Sequence, residues 1–256
     1  MCDALTRWTY GDHPAQYADL YRPVGRPKTG IAVVIHGGFW RSAYDAESLG
    51  APLCADLAAR GHIAWNLEYR RVGDGGQWPA TFDDVSAGID LLATVDGLDL
   101  AKVVTIGHSA GGQLAVWAAA RRPRAASSAP TVLITGAVSQ AGVLNLTDAA
   151  NRGVGGTAVP NLLGGMPSEM AHRYHQADPY QQLPVGLPVR ALHARDDDTV
   201  PFEQSTSYVD AAQRLGDDAQ LIEVTGGHYG LIDVGAAGWE ATVAAFVELV
   251  RENPGR

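Results

Sequence analysis

Apolar and polar residues alternate in blocks along this 256-residue chain, and the blocks predict strands and helices in turn. Short apolar runs bounded by Gly, Pro or polar residues are typical of strands buried in a sheet. Such runs occupy residues 17–21, 31–36, 62–67, 102–106, 131–135, 189–193 and 220–224. Longer segments with helical spacing separate them, at residues 45–60, 79–95, 109–122, 201–215 and 237–251. This alternation predicts an α/β fold, with a mostly parallel sheet covered by helices on both faces.

A long segment, residues 145–186, interrupts the alternation. It is rich in Gly, Pro, Asn and His and lies between two predicted strands. Because a structureless loop of this length is unusual in a compact domain, we expect short helices within it, at residues 160–163 and 168–175. The length and composition of the chain otherwise suit one domain, residues 1–256, with this segment as an insertion.

Composition and charge narrow the class of protein. Hydrophobic residues make up 46% of the chain, and the formal net charge is −9. A charge of this sign argues against a nucleic acid or an anionic membrane as partner, because both require a basic surface. Residues 1–14 lack the apolar core of a signal peptide, and no apolar stretch approaches the length of a membrane span, so we expect a cytoplasmic protein. The oligomeric state, monomer or homodimer, stays open.

Neither the cysteines nor the acidic residues predict a metal or a cofactor. Cys2 and Cys54 are too few for a disulfide framework and lack metal-site spacing, so we interpret Cys2 as a loose terminal thiol and Cys54 as a packed helix residue. His193 with the consecutive acids of residues 196–198 is the best candidate metal site. Three acids in a row cannot all face one ion, however, since Ca²⁺ loops alternate their ligands.

The pentapeptide Gly-His-Ser-Ala-Gly, residues 107–111, is the strongest candidate for chemistry. It follows a predicted buried strand and precedes a predicted helix, so Ser109 lies in a sharp strand–turn–helix connection. We expect Gly107 and Gly111 to be required there, because a Cβ at either position would meet the neighbouring strand or helix. The same turn would present Ser109 freely above the sheet, with the positive end of a helix dipole behind it. Ser109 is therefore the candidate nucleophile.

A serine hydroxyl needs a base to take its proton, and the base needs an orienting acid. His228 lies in a Gly-rich loop just after the last predicted strand, where it can reach over Ser109. Asp197 is the preferred acid of the three consecutive aspartates that follow the predicted strand 189–193. The other histidines are placed less suitably, in the N-terminal tail, at the far end of a strand or in the insertion: His13, His62, His172 and His175.

A second glycine-rich loop, residues 36–40, follows the predicted strand 31–36 and is called the oxyanion loop below. Glycines allow backbone N–H groups to approach a substrate, so we expect those of Gly38, Phe39 and Ala110 to form an oxyanion hole. His36 is expected to anchor the loop rather than to react. Aromatic residues near these positions predict a small pocket for a planar or short acyl group: Trp40, Tyr44 and Tyr229.

With these motifs, the chain resembles the α/β-hydrolase superfamily over nearly its whole length. The Gly-x-Ser-x-Gly turn, the His-Gly-Gly loop and the order Ser, Asp, His carry the resemblance. Residues 193–201 resemble the pattern His-Gly-x-x-Asp-x-x-Val-Pro, with Ala194 in place of the glycine. The closer similarity is to the arylformamidase (kynurenine formamidase) and small carboxylesterase branch, through residues 36–40, 66–70, 77–80, 83–85 and 107–114. The resemblance implies the α/β-hydrolase fold, a doubly wound sheet of about eight strands in which residues 145–186 form a short cap.

The resemblance also implies hydrolysis of a small acyl ester or an N-formyl amide through an acyl-enzyme, without a cofactor. Ser109 would attack the carbonyl carbon, His228 would move the proton, and Asp197 would orient His228. The alternative is a protein that keeps the fold and binds a ligand without catalysis, since fold alone does not fix function. The intact set of three residues argues against it. Carbohydrate, feruloyl and lipase-like esterases share the same sequence blocks, so the substrate stays open.

Overall fold

A computed structural model describes residues 5–121 and 130–251, which form one sheet with helices on both sides. The strands are β1 (Thr6–Thr9), β2 (Tyr17–Tyr21), β3 (Ile31–Ile35), β4 (Ile63–Leu67), β5 (Val103–His108), β6 (Gly136–Gln140), β7 (Val189–Ala194) and β8 (Ala219–Val224). Their order in space is β1-β2-β4-β3-β5-β6-β7-β8. The pairs β1–β2 and β2–β4 are antiparallel, and the remaining pairs are parallel. The predicted α/β-hydrolase fold, with a mostly parallel sheet, is confirmed.

Helices bury both faces of this sheet. They are α1 (Ala46–Leu49), α2 (Ala51–Ala59), α3 (Ala80–Asp90), α4 (Ala110–Ala119), α5 (Leu146–Arg152), α6 (Ala158–Leu163), α7 (Ala171–Ala177), α8 (Glu203–Arg214) and α9 (Ala237–Arg251). Helices α2 and α9 pack on one face, whereas α3, α4 and α8 pack on the other. In β3, Ile31, Val33 and Ile35 join the core on one side, and Ala32 and Val34 the core on the other. Because both faces are buried, apolar residues predominate in the central strands, and β3 is apolar throughout.

Some element boundaries differ from the sequence prediction. Strand β1 was not predicted, because its residues are mostly exposed and its position depends on pairing with β2. The predicted strand 131–135 is wrong, and the strand begins at Gly136 instead. The predicted helix 45–60 is divided at Gly50, where a Cβ would lie 2.0 Å from Asn66 Oδ1.

The insertion, residues 145–186, contains α5, α6 and α7 and is fixed to the rest of the molecule. The buried carboxylate of Asp178 accepts hydrogen bonds from the first two N–H groups of α5, at 2.9 and 3.0 Å. From α4, Gln113 Nε2 donates to the carbonyl of Ala177 at 2.8 Å, and Trp117 Nε1 donates to that of Gln176 at 2.9 Å. The helix that follows Ser109 therefore holds the end of the insertion directly.

Cys54 is buried on α2, as expected of a packed helix residue, and burial raises the pKa of its thiol. The interpretation of Cys2 lies outside the described residues. Across residues 5–121 and 130–251, none of the helices combines the length and the apolar character that crossing a membrane requires.

Candidate active site

Ser109 lies at the turn between β5 and α4, and its backbone is strained. Its φ of 55° and ψ of −117° form a combination that residues other than glycine rarely adopt. A Cβ on Gly107 would lie 2.0 Å from the carbonyl oxygen of Gly111, and one on Gly111 would lie 2.1 Å from that of Ile35. Both contacts are with backbone atoms, so this turn closes only with glycine at the two positions, as the sequence predicts.

Ser109 does not project freely, contrary to our expectation from the sequence. Only 2% of its surface is exposed. The oxyanion loop packs against it, since a Cβ on Gly37 would lie 3.2 Å from Ser109 Cβ and 2.7 Å from the carbonyl oxygen of His108. Access from solvent to the serine is therefore narrow.

His228 and Asp197 form a buried pair at the same end of the sheet. Nδ1 of His228 donates to Asp197 Oδ2 at 2.7 Å, while Asp197 Oδ1 accepts from the N–H groups of Thr199 and Val200, each at 2.8 Å. Burial would raise the pKa of Asp197, but hydrogen bonds from His193, His228 and the Val200 N–H hold that pKa well below its ordinary value. Asp197 is thus ionised and fixes the Nδ1–H tautomer, which leaves Nε2 of His228 as the available base.

The neighbouring acids do not share this position. Asp196 is exposed and accepts from the N–H of Gly227 at 3.3 Å, and Asp198 is exposed and accepts from Thr199 Oγ1 at 3.1 Å. Of the three aspartates, only Asp197 contacts His228 among the described residues. The described residues also contain no group of three or more His, Cys, Asp or Glu side chains that could hold a metal ion.

The other candidate histidines lie apart from this pair. His13 faces Asp74 at 3.5 Å, and the ring of His62 packs edge-on against Phe246 at 5.1 Å. His172 and His175 are exposed on α7. Of the histidines that the sequence offers as the base, the structure therefore brings His228 to Asp197 and places His13, His62, His172 and His175 elsewhere.

His108, the residue between Gly107 and Ser109 in the pentapeptide, contacts the loop that carries His228. Its Nε2 donates to the carbonyl oxygen of His228 at 2.9 Å, and the two ring centroids are 4.5 Å apart. Burial, and next the nearby His228, lower the pKa of His108 to about 3, so His108 is neutral. No local sequence pattern marks His108 for this contact, because only the fold brings together two residues 120 positions apart.

His193 supports Asp197 from the strand side. Its Nε2 lies 3.2 Å from Asp197 Oδ2 and 3.0 Å from the carbonyl oxygen of Val200, and its Nδ1 contacts Ser205 Oγ at 2.8 Å. Both oxygens that face Nε2 are acceptors, so Nε2 carries the proton and Ser205 donates to Nδ1. The ordered imidazole keeps the carboxylate in place.

The groups predicted to bind an oxyanion lie at the start of α4 and in the oxyanion loop, whose Gly37 approaches Ser109. Ala110 is the first residue of α4, where a backbone N–H has no partner within the helix. Gly38 and Phe39 belong to a stretch with positive φ angles, 107° and 51°. Such angles turn the chain away from the extended path of strand β3.

The insertion also contacts the oxyanion loop. Arg41 Nη2 donates to the carbonyl of Gly155 at 2.6 Å, and the Arg41 guanidinium lies 5.4 Å from the ring centroid of Phe39. A Cβ on Gly155 would lie 2.3 Å from the ring of Phe39. The position of Phe39 therefore depends on the insertion.

The three predicted pocket residues have different environments. Trp40 has no exposed surface, and its Nε1 donates to Gln113 Oε1 at 3.1 Å. A side chain without accessible surface cannot meet an entering ligand, so the assignment of Trp40 to the pocket is wrong. Tyr44 is 40% exposed and packs over Gly38, while Tyr229 is 62% exposed with its ring centroid 5.2 Å from that of His228. These two tyrosines border the site.

Solved structures of similar fold include several esterases. The truncated carbohydrate esterase from gut microbiota superposes with a TM-score of 0.83 at 20% identity, over 96% of this chain and 97% of that one. Esterase B from Lactobacillus rhamnosis superposes with a TM-score of 0.79 at 18% identity, over 97% of this chain and 87% of that one. At these identities the likeness establishes the fold.

Two curated relatives are similar in sequence. Esterase LipC of Mycobacterium tuberculosis is 28% identical over 265 residues, which cover 96% of this chain and 65% of that protein. Isoprenylcysteine alpha-carbonyl methylesterase ICME of Arabidopsis thaliana is 28% identical over 236 residues, which cover 85% of this chain and 54% of that protein. The chain thus spans between half and two thirds of the length of these relatives.

A family model extends the likeness across most of the fold. The model described as BD-FAE matches residues 18–211, from β2 into α8, and the match includes the oxyanion loop, the pentapeptide and Asp197. This chain belongs to the BD-FAE family, within the α/β-hydrolase superfamily.

Proposed function

We propose that this protein is a serine hydrolase that cleaves small acyl esters through an acyl-enzyme intermediate. The 2.7 Å hydrogen bond between His228 Nδ1 and Asp197 Oδ2, beside the strained turn of Ser109, carries the proposal. Because that bond fixes the histidine tautomer, Nε2 is able to take the proton of Ser109. Membership of the BD-FAE family and similarity to proteins named as esterases support ester hydrolysis.

The chemistry follows from these groups. Oγ of Ser109 attacks the ester carbonyl carbon as its proton passes to Nε2 of His228, and the carbonyl oxygen becomes an oxyanion that accepts from the N–H groups of Gly38, Phe39 and Ala110. Collapse of the tetrahedral intermediate expels the alcohol, which takes the proton from His228. Water then attacks the acyl-enzyme with the same base and releases the acid. Asp197 stays ionised throughout and stabilises the imidazolium.

The geometry favours short acyl groups. Ser109 is almost covered, and hydrogen bonds tie the insertion to α4 and to Arg41, which follows the oxyanion loop. A long acyl chain would require these contacts to open. The exposed rings of Tyr44 and Tyr229 offer apolar surface at the rim for a planar or short group. N-formyl amides belong to the same size class, and the arylformamidase branch is retained as a prediction from sequence.

A substrate panel tests the proposal. Hydrolysis of p-nitrophenyl formate, acetate, butyrate and octanoate would be followed alongside N-formylkynurenine, with Ser109→Ala as the matched control. We expect kcat/KM to fall from formyl or acetyl through butyryl to octanoyl, and the control to be inactive while its circular dichroism spectrum is unchanged. A clear preference for octanoate would contradict the small-acyl assignment, and turnover by Ser109→Ala at the wild-type rate would remove the mechanism.

The alternative is a ligand-binding protein without catalysis, and the same panel separates the two. A binding protein would hydrolyse none of the substrates, and Ser109→Ala would then be indistinguishable from the wild type. The strained backbone at Ser109 argues against this alternative, because such strain is costly and tends to persist at functional sites.

A further inference from the structure

A buried polar network lies behind the oxyanion loop, and the mechanism above does not use it. Its centre is Glu68, which follows β4 and is 1% exposed. Glu68 Oε2 accepts from the N–H of Ala46 at 2.8 Å, and Oε1 accepts from the N–H of Tyr69 at 2.8 Å and from Arg71 Nη1 at 3.2 Å. Three N–H donors, one of them on the Arg71 guanidinium, thus face the carboxyl group, an arrangement that suits its negatively charged form.

The ring of His36 faces acceptors at both of its nitrogens. Nε2 lies 3.0 Å from Glu68 Oε1, and Nδ1 lies 2.8 Å from the carbonyl oxygen of Gly37. A neutral imidazole has one donor nitrogen and one acceptor nitrogen, so it would direct a lone pair at one of these two oxygens. Neither oxygen is placed to donate, since one is a backbone carbonyl and Glu68 Oε1 already accepts from the N–H of Tyr69 and from Arg71. A ring with protons on both nitrogens would satisfy both oxygens.

The surroundings suit a positively charged ring. Tyr69 stacks on His36 with ring centroids 4.4 Å apart and an interplanar angle of 13°, which is favourable for a cation on an aromatic face. Arg71 carries a like charge, but its guanidinium is also neutralised by Asp74 at 3.4 Å.

We propose that Glu68 holds His36 as an imidazolium, and that His36 is a positioning residue which orients and polarises the peptide between Gly37 and Gly38. The carbonyl of Gly37 and the N–H of Gly38 belong to one planar unit and point in opposite directions. A charged donor on that carbonyl strengthens the N–H at the other end, because linked hydrogen bonds polarise one another. The inference rests on the proposed function, in which the N–H of Gly38 binds the oxyanion.

Nuclear magnetic resonance tests the protonation of His36 without reference to catalysis. The full chain labelled with ¹⁵N-histidine would be examined at neutral pH, and the His36 signals assigned by their loss in His36→Asn. We expect both ring nitrogens of His36 to show an attached proton in the wild type. In Glu68→Gln the negative charge is gone, so we expect one of the two protons to be lost. A His36 ring with one bare nitrogen in the wild type would overturn the inference.

Kinetics test the effect on the oxyanion. For His36→Asn and Glu68→Gln we expect kcat for p-nitrophenyl acetate to fall about 10- to 100-fold, with KM changed by less than about threefold. This loss is smaller than the loss in kcat of about 10²- to 10³-fold that follows deletion of an oxyanion donor, because the donor is weakened and not removed. His62→Asn is the matched control, because His62 is also buried but packs against Phe246 away from the loop. A kcat within about twofold of wild type in both network variants would also overturn the inference.

The two experiments separate the inference from the proposed function. If the wild type hydrolyses none of the esters while His36 is doubly protonated, the proposed function fails, and with it the role of His36 toward the oxyanion. If the wild type is an active esterase and His36 has a bare nitrogen, only the inference fails. Should either network variant not fold, the wild-type spectrum alone still decides the protonation state.

Discussion

Replacing Asp197 by asparagine should abolish most of the activity while preserving the shape of the site. The asparagine oxygen can still accept from the N–H groups of Thr199 and Val200, which now fix Oδ1 at 2.8 Å each. Its NH₂ group then lies where Oδ2 was, against Nδ1 of His228 and beside Nε2 of His193, whose proton keeps the carbonyl oxygen of Val200 as its acceptor at 3.0 Å. Nδ1 must become the acceptor, so the ring proton moves to Nε2, and Nε2 can no longer take the proton of Ser109.

The size of this effect follows from the tautomer. The same substitution in a serine protease triad lowers kcat by about 10⁴, which corresponds to about 5.5 kcal/mol of transition-state stabilisation. We expect a loss of this order here, because Asp197 holds His228 by the same kind of hydrogen bond. The asparagine amide cannot rotate by about 180° to restore that bond, because its NH₂ group would then face the N–H groups of Thr199 and Val200. The assay is kcat and KM for p-nitrophenyl acetate, with thermal unfolding as the measure of folding.

Two neighbouring aspartates provide the matched controls. Asp196→Asn and Asp198→Asn alter exposed side chains that do not contact His228, so each should retain kcat within about threefold. A loss of less than tenfold in Asp197→Asn would refute the tautomer argument. A larger loss in either neighbour than in Asp197→Asn would show that a different carboxylate orients the histidine.

Two further predictions concern the insertion and the acid stability. Gly155 and Gly156 both have a positive φ, 68° and 71°, so alanine is strained at either position, but only a Cβ on Gly155 would meet the ring of Phe39. Gly155→Ala should therefore lower kcat at least about tenfold further than its control Gly156→Ala. Equal kcat values in the two variants would show that the position of Phe39 does not depend on the insertion. Because the pKa of Asp197 is lowered in the folded protein, its contribution to stability should be complete above about pH 4 and lost as the pH falls further. The difference in unfolding free energy between wild type and Asp197→Asn, from urea titrations at about pH 7, 5 and 3, should hold to pH 5 and shrink at pH 3, and a difference that grows toward pH 3 would contradict the assignment.

The central sheet was predictable because its signals are local. Strands β3, β4, β5 and β7 are buried on both faces, so apolar residues predominate in each. Strand β6 was misplaced because its residues are small rather than strongly apolar, and the reason is a tertiary contact. A Cβ on Gly136 would lie 3.2 Å from Leu249 of helix α9, and a Cβ on Gly112 of helix α4 would lie 2.9 Å from Ser139 Oγ. The helices approach this strand closely from both faces, which no local pattern reveals.

The site was predictable where chain order and spacing carry the information. The pentapeptide and the loops that follow the strands supplied Ser109, Asp197 and His228, and the fold brings Asp197 to His228. Trp40 was misassigned because its neighbours in sequence lie at the loop, whereas its own φ of 55° leads the side chain inward to Gln113. The contacts of His108 with the His228 loop depend on packing between distant segments, so they became visible only in the fold.

The most direct test of the account is covalent labelling of Ser109. The full chain would be incubated with a fluorophosphonate, which reacts with serines activated by a neighbouring base, and analysed by intact mass spectrometry and peptide mapping. We expect a single adduct on Ser109, formed in parallel with the loss of esterase activity, absent from Ser109→Ala and slowed by orders of magnitude in Asp197→Asn. A wild-type protein that forms no adduct, or a Ser109→Ala protein that is labelled at the same rate, would contradict the claim that Ser109 is the activated nucleophile.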